Sequence, residues 1–537
     1  MLCDTRPVEI VANLAELVSD AAEQAADDVA MKDAARTVTW SQLDEETHAV
    51  ASGLASMGLV AGARVLIALG NRVEFVTSYL GVLRAGLVAV PANPTSVSGE
   101  LIRMLTDSAA RRCLCDRSSV QALRTALQEL DDVQGTGQQD DAPRIIAPQV
   151  VVVDGSALPG ETTYGDLITR DSRRVSPPVD PQNLAVLLYT SGTSGRPRAA
   201  MLTHRSLLAN IEQAAAVDPA PITSDDVVLG VVPLFHVYGL NAVLGQVLRQ
   251  RARLVLVERF DPANTLAVIE EQQVTNLPVA PPVFAAWRHL GDLHEPLRFV
   301  RTVLSGSAPL GADAIRRFSD QSGLTVHQGY GLTEASPAVT STLASASVKP
   351  GSVGSALPGV ELRVVDDRGH EVSGDDSGEI CVRGDNVFVG YWPNRDGGPD
   401  EAGWFATGDV GYLDDEGDLY LVDRKRELVI VSGFNVYPTE VEDVIVELTD
   451  VFEAAVIGAP DDESGEAVVA YVVPQDGVTM PAEQLAAVVD RHCADRLARF
   501  KRPREIHVVE ELPHSVTGKV AKGRLRSVQR RRAMGLL

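Results

Sequence analysis

The chain has 537 residues, more than one hydrophobic core normally supports, so two or more domains are expected, each with ample buried surface. Apolar residues make up 45% and charged residues 23%, and no apolar stretch approaches the roughly 18 residues of a membrane-spanning helix. With 48 Lys+Arg against 73 Asp+Glu the net charge is −25, which argues against general attraction to nucleic acid or acidic lipid; an anionic ligand needs a local site that overcomes this field.

Acidic residues (Asp4, Glu9, Glu16) stand where a secretory leader needs a basic start and an apolar core, so a cytoplasmic protein is expected. Five cysteines form an odd, sparse set. The close pair Cys113 and Cys115 has one residue between them, fewer than zinc sites use, and all five read as reduced and structural.

From about Thr37 to Tyr420, short apolar runs alternate with helical patterns. Ala63–Leu69, Leu184–Leu188, Val227–Val232, Leu254–Val257 and Val300–Leu304 are predicted strands, and such alternation implies α/β architecture with parallel sheets. The Gly-, Gln-, Asp- and Pro-rich segment Asp132–Pro148 reads as a surface loop. Leu207, Leu208, Ile211, Ala214 and Ala215 recur at helical spacing after Thr203, so a strand, a Gly/Ser/Thr loop and a helix are expected in succession around residue 195. Lys349–Gly417 reads as a β-rich portion that ends a large domain. Past Asp423 a compact α+β set follows: a helix over Thr439–Leu448, strands Ala454–Ile457 and Val468–Val473, a helix over Pro481–Leu497 and strand Glu505–Val509. The basic run Arg530–Arg532 reads as a solvated tail.

Five segments carry chemistry. In Tyr189-Thr190-Ser191-Gly192-Thr193-Ser194-Gly195-Arg196-Pro197-Arg198, small residues leave backbone N–H groups exposed while hydroxyls and two arginines add donors, a composition that can wrap a polyphosphate without being a Walker loop. In Gly329-Tyr330-Gly331-Leu332-Thr333-Glu334, an adenine can stack on Tyr330 while Glu334 can hold Mg²⁺ between phosphate oxygens. Asp409 can accept both hydroxyls of a ribose, and Arg424, in Asp423-Arg424-Lys-Arg-Glu-Leu428, can reach the same sugar. Ser515-Val-Thr-Gly-Lys519 would present one lysine at a loop tip. Taken singly, each also has a plain alternative: a mobile turn, a solvated acid, a surface ion-pair region, a solvated lysine.

Together, in this order and across nearly the whole chain, these segments resemble the adenylate-forming superfamily: acyl- and aryl-CoA synthetases, amino-acid adenylation domains and beetle luciferases. The resemblance implies a large domain over 1–422 and a small mobile domain over 423–537, with Asp423 as hinge. It implies that Thr190–Arg198 embraces the β- and γ-phosphates of ATP and that Gly306, Ser307 and Ala308 form the adenine slot with Gly329, Tyr330 and Gly331. Thr333 would touch the α-phosphate, Glu334 would hold Mg²⁺, Asp409 and Arg424 would bind ribose, and Lys519 would be the lysine of the adenylation step. Gly433 and Phe434 would serve the coenzyme A step. Three departures stand out: relatives often carry lysine then glycine where Arg198 and Ala199 stand here, and lysine where Arg426 stands.

Within the superfamily, adenylation domains for amino acids place an aspartate directly after the Phe of the acyl-pocket segment, to pair with the substrate's ammonium. Here the segment is Pro233-Leu-Phe235-His236-Val-Tyr238-Gly-Leu240, similar to fatty-acyl and coumaroyl-type CoA ligases, with His236 and Tyr238 lining the pocket or His236 reading simply as a core histidine. The expected activity is an acid–thiol ligase that converts a fatty or aryl acid to acyl-AMP and then to acyl-CoA. A fatty-acyl-AMP ligase that loads an acyl carrier protein is the nearest rival, and an adenylate-binding regulator without activity is the alternative of another class. Oligomeric state is left open.

Overall fold

The computed structural model of the chain describes residues 12–135, 147–171, 173–190, 197–288, 290–308, 310–366, 368–372, 374, 376–424, 427–431, 434–461, 465–514 and 519–533. Two seven-stranded sheets, a six-stranded sheet and a five-stranded sheet organise these residues. In one large sheet the strands run in the order Val326–Gln328, Thr302–Ser305, Asn276–Val279, Val227–Gly230, Arg253–Leu256, Val29–Lys32, Thr37–Thr39. The other has Arg64–Ala68 between Val88–Pro91 and Arg112–Cys115, and ends on the pair Leu184–Thr190 and Arg198–Thr203. Pairing is parallel throughout both except at one edge of each.

The strands of these sheets are covered on both faces, which is why they read as unbroken apolar runs. Val65, Leu66, Ile67 and Ala68 are all fully buried, and the residues divide between two cores: Val65 and Ile67 pack with the helix Val73–Arg84, and Leu66 and Ala68 with Leu101, Leu105 and Leu123. The six-stranded sheet, Thr340–Ser341 through Asp418–Arg424, is antiparallel and joins the first core through Ile380, Val382 and Leu419. The small sheet pairs the long hairpin Val451–Asp461 and Gly465–Pro474 with Val429–Val431 and Glu505–Val508, and has a separate core of Val441, Val456, Val468, Leu485 and Val489. This is the α/β large domain and small α+β domain that the alternation of patterns implied.

Three local expectations are corrected. The helix Val120–Gly135 runs through the first residues of the segment read as a loop from Asp132, because its apolar stripe of Leu123, Ala126, Leu127 and Leu130 carries it on. The basic C-terminal run belongs to a helix, Lys522–Ala533, docked by buried Leu525 and by Gln529, whose side-chain oxygen accepts from Tyr471 Oη at 2.9 Å. Lys522 adds ion pairs to Glu427 (3.2 Å) and Glu442 (2.8 Å), so a single buried apolar residue and polar contacts seat this basic helix, a pattern too sparse in apolar residues to show as periodicity. The third correction, a strand between the Gly/Ser/Thr loop and its helix, belongs to the site. Cys113, Cys115, Cys381 and Cys493 are buried and unbridged.

Candidate active site

Residues Ser191, Gly192, Thr193, Ser194 and Gly195 lie outside the described residues, but the frame that holds them does not. Thr190 and Arg198 are register partners at the end of an antiparallel pair. The strand Arg198–Thr203 follows the Ser/Thr/Gly segment, and only then does the helix His204–Ala215 begin, under a capping box in which Thr203 and Ser206 exchange side chain-to-backbone hydrogen bonds. The four apolar residues after Arg198, Ala199 to Leu202, are all buried and so show no strand alternation. Arg198 is stacked on the Tyr391 ring, with its guanidinium carbon 3.6 Å from the centroid, and its Nη2 donates to the Asp396 carbonyl at 3.2 Å.

The parallel strands Thr302–Ser305 and Val326–Gln328 end side by side, with Ser305 opposite Gln328, and deliver the two short turns that follow. Gly306 faces the Tyr238 ring so closely that an added Cβ would lie 3.1 Å from it, and at Gly331 a Cβ would collide with the Pro337 carbonyl. Ser307 and Ala308 continue the first turn, Ser307 in the left-handed region at φ 74°. In the second, the Tyr330 ring is only 7% exposed; its N–H donates to Thr340 Oγ1 (3.2 Å) and its Oη to Asp409 Oδ2 (2.7 Å). Asp409, on the strand Phe405–Leu413, is the register partner of Arg424 at the end of Asp418–Arg424. The two sequence-predicted ribose residues are thus adjacent in backbone, and Tyr330 is tied to one of them.

Thr333 and Glu334 share a single 3₁₀ turn, Thr333–Ala335. The Glu334 carbonyl accepts from Phe388 N at 2.8 Å, and its carboxylate Oε1 accepts from Tyr391 Oη at 2.6 Å. Tyr391 escaped sequence reasoning. Its signal was slight: an aromatic pair, Tyr391-Trp392, after Gly390, on a segment that hydrogen-bonds to the strand Arg198–Thr203 through Met201 N to Gly390 O (3.0 Å) and Trp392 N to Ala199 O (2.9 Å).

His236 and Tyr238 stand at the start of a π-helical segment, Tyr238–Gly245, a form often found at functional sites. The Tyr238 N–H donates to His236 Nδ1 at 3.3 Å, which makes Nε2 the protonated nitrogen of a neutral ring. Burial, with a smaller contribution from the Lys519 ammonium, pushes the imidazole down to about 4, so it is uncharged near neutral pH. Burial also raises the Tyr238 phenol, whose Oη donates to the Leu304 carbonyl at 3.3 Å. Asn241 Nδ2 donates to the Leu207 carbonyl (3.0 Å) and the Ser336 carbonyl (2.6 Å), tying this segment to the turn that bears Glu334.

Lys519 comes from the small domain, next to the isolated bridge between His514 and Val520, and its field is felt at His236 on the large domain. Gly433 and Arg426 lie outside the described residues, as do the side chains of Asp423, Arg424 and Phe434; the backbone of Asp423 belongs to the strand Asp418–Arg424. The domains also touch at Arg288, whose guanidinium lies 3.9 Å from the Phe452 ring centroid and 3.8 Å from Asp476.

The two strand-end turns thus bring Tyr330 with Asp409, and Glu334 with Tyr391, together on the large domain. Residues 18–392 match the AMP-binding enzyme family, and residues 440–519 match the AMP-binding enzyme C-terminal domain. A long-chain-fatty-acid–CoA ligase of Bacillus subtilis (strain 168) is 33% identical over 528 residues, covering 95% of this chain and 94% of the relative. The 4-coumarate–CoA ligase-like 9 of Oryza sativa subsp. japonica is 34% identical over 533 residues, covering 95% and 92%. The crystal structure of ATP-bound MatB from Rhodopseudomonas palustris superposes with a TM-score of 0.84 at 31% identity, over 96% of this chain and 99% of that one.

Proposed function

We propose that this chain, which belongs to the AMP-binding enzyme family within the adenylate-forming superfamily, is an AMP-forming ligase that joins a fatty or aryl carboxylic acid to coenzyme A. The observation that best supports it is the linked polar set on the large domain, in which Tyr330 Oη donates to Asp409 Oδ2 at 2.7 Å and Tyr391 Oη to Glu334 Oε1 at 2.6 Å, with the Tyr238 ring packed on the neighbouring Gly306 turn. That is where a carboxylate and an α-phosphate would meet.

In the first half-reaction a carboxylate oxygen attacks the α-phosphorus, the bond to pyrophosphate breaks, and acyl-AMP forms. Repulsion between the anions opposes this step, and positive charge where negative charge accumulates lowers the barrier. The Thr190–Arg198 segment would hold the β- and γ-phosphates, Thr333 the α-phosphate, and Asp409 with Arg424 the ribose. Glu334 fits Mg²⁺, being a hard oxygen donor held in place by Tyr391 beside Arg198; the bound ion would neutralise phosphate charge. Lys519 would sit against the reacting bond. In the second half-reaction the coenzyme A sulfur attacks the acyl carbonyl, AMP leaves, and the thiol proton passes to solvent. The lysine has no part in that step, so a small domain from residue 423 onward that turns about Asp423 would withdraw it and bring up Gly433 and Phe434.

An uncharged acyl group suits the pocket. His236 stands where an ammonium partner would be needed for an amino acid, and it is neutral. The similarity to ligases named for long-chain fatty acids and for 4-coumarate supports an alkyl or aryl acid. The test is exchange of labelled pyrophosphate into ATP across fatty acids of graded length and hydroxycinnamic or benzoic acids, followed by thioester assays with coenzyme A and with a phosphopantetheinyl carrier protein. Exchange with one class of acid and thioester on coenzyme A is expected. Thioester on the carrier alone would instead mean a fatty-acyl-AMP ligase, and no exchange with any acid would mean an adenylate-binding protein without ligase activity.

A further inference from the structure

Tyr391 is held from three sides. Its hydroxyl donates to Glu334 Oε1 at 2.6 Å, the Arg198 guanidinium covers one face with Cζ 3.6 Å from the centroid, and Phe388 packs against it edge-on with centroids 5.0 Å apart and planes at 81°. Arg198 and Tyr391 also share an acceptor: the Asp396 carbonyl takes Tyr391 N at 3.1 Å and Arg198 Nη2 at 3.2 Å. Arg198 is the first residue of the strand Arg198–Thr203 and the register partner of Thr190. One aromatic side chain therefore joins the start of that strand to the carboxylate on the Thr333–Ala335 turn.

The chemistry of each group suits that connection. A phenol donating to a carboxylate forms a strong, charge-assisted hydrogen bond that restricts the carboxylate's rotation. A guanidinium stacks on a ring and still spends an N–H on a carbonyl in its own plane, which an ammonium cannot do, so arginine in place of lysine is matched by the ring beneath it. We infer that Tyr391 is a positioning residue that orients Glu334, and that Arg198, stacked on its ring, holds Tyr391 in place for that contact. This rests on the proposal that Glu334 takes the divalent ion.

The experiment measures Mn²⁺ binding to the full-length protein with saturating ATP, by electron paramagnetic resonance, for the parent and for Glu334→Gln, Tyr391→Phe, Arg198→Ala and the double variant Tyr391→Phe/Arg198→Ala. Tyr391→Phe keeps the ring and its packing and removes only the hydroxyl. It should weaken Mn²⁺ binding about tenfold, the scale of one hydrogen bond to a charged group. Arg198→Ala should weaken it about threefold in the parent and not at all in the Tyr391→Phe background, because its influence passes through the hydroxyl. If Glu334→Gln weakens Mn²⁺ binding and Tyr391→Phe does not, Tyr391 is only structural. If Arg198→Ala has the same effect in both backgrounds, Arg198 acts on phosphate directly and does not act through Tyr391. If Glu334→Gln binds Mn²⁺ as the parent does, the assignment of the metal to Glu334 falls, and the role of Tyr391 falls with it.

Discussion

The two halves of the proposed site are built in different ways. On the large domain the groups hold one another: Tyr330 donates to Asp409, Tyr391 to Glu334, and Asn241 ties the π-helical segment to the Ser336 carbonyl. Tyr330 and Glu334 lie on the turns that follow the strand Val326–Gln328. Among the described residues, the small domain brings Lys519, beside the isolated bridge between His514 and Val520, and touches the large domain at places such as Arg288 and Tyr437, whose Oη lies 3.4 Å from Ser377 Oγ. A connected polar network resists displacement, whereas isolated contacts exchange at little cost. Binding groups are therefore preset, and the group proposed to act on the reacting bond is the one that can be withdrawn.

Lys519→Ala breaks this comparison most sharply. Acyl-adenylate formation should fall about 100- to 1,000-fold, the loss seen when one preorganised donor is taken from a charged transition state. Thioester formation from chemically supplied acyl-adenylate should persist. Single-turnover measurement of the two half-reactions decides it: equal slowing of both, or of neither, refutes a withdrawn lysine.

On the preset side, Asp409→Asn should raise the KM for ATP about tenfold and leave kcat nearly unchanged, because a charged acceptor is lost from binding that substrate and transition state share. Tyr330→Phe should do the same to a smaller degree, since Asp409 then keeps its charge but loses the Tyr330 hydroxyl (2.7 Å). A fall in kcat with unchanged KM would move Asp409 from binding to chemistry.

The same contrast explains what was legible in the sequence. Strands such as Arg64–Ala68 and Leu184–Thr190 announced themselves because burial on both faces demands unbroken apolar runs. The sites on turns were visible through glycine and hydroxyl clusters, whose composition follows from close backbone approach. Tyr391 was not visible, because its role depends on the Gly390–Trp392 segment lying along the strand Arg198–Thr203, a pairing between residues almost two hundred positions apart. Nor was the strand Arg198–Thr203, whose five residues after Arg198 continue directly into a capped helix. The docked helix Lys522–Ala533 was hidden by its charge, since it is held by one buried apolar residue, Leu525, and by polar contacts of Lys522 and Gln529.

Two buried histidines of the large domain make its packing sensitive to acid. His204, 2% exposed and accepting from Leu14 N at 3.2 Å, and His236 are each pushed by burial down to about 4. Both are lower than the ordinary value of 6.5, so the unfolded chain binds more protons between about pH 4 and 6.5. Stability should be level in this respect above pH 6.5 and decline as the pH falls below it, by on the order of 2 kcal/mol from His204 at pH 5. Thermal midpoints of the parent and His204→Gln between pH 5 and 7.5 check the sign: the variant should lose part of the slope, and parallel curves would contradict it.

The smallest effect tests how the small domain is held. Arg288 follows the helix Pro281–Trp287, and its side chain, 17% exposed, lies over Phe452 with the carboxylate of Asp476 at 3.8 Å. Asp476 is 85% exposed, so solvent screens the ion pair to a few tenths of a kcal/mol at most; the stack on Phe452 contributes the larger share, about 0.5–1 kcal/mol. Losing both should lower the population of the arrangement seen here about three- to fivefold if that arrangement is one of two in balance. Arg288→Ala should then slow acyl-adenylate formation by that factor without slowing thioester formation from supplied acyl-adenylate. Arg288→Lys, which keeps the charge and gives up the plane, should lie nearer to alanine than to the parent. The backbone is little disturbed, since the Arg288 carbonyl that accepts from Gln321 Nε2 (3.1 Å) is retained in both variants. Equal slowing of the two half-reactions would show that Arg288 supports the large domain rather than the docking of the small one.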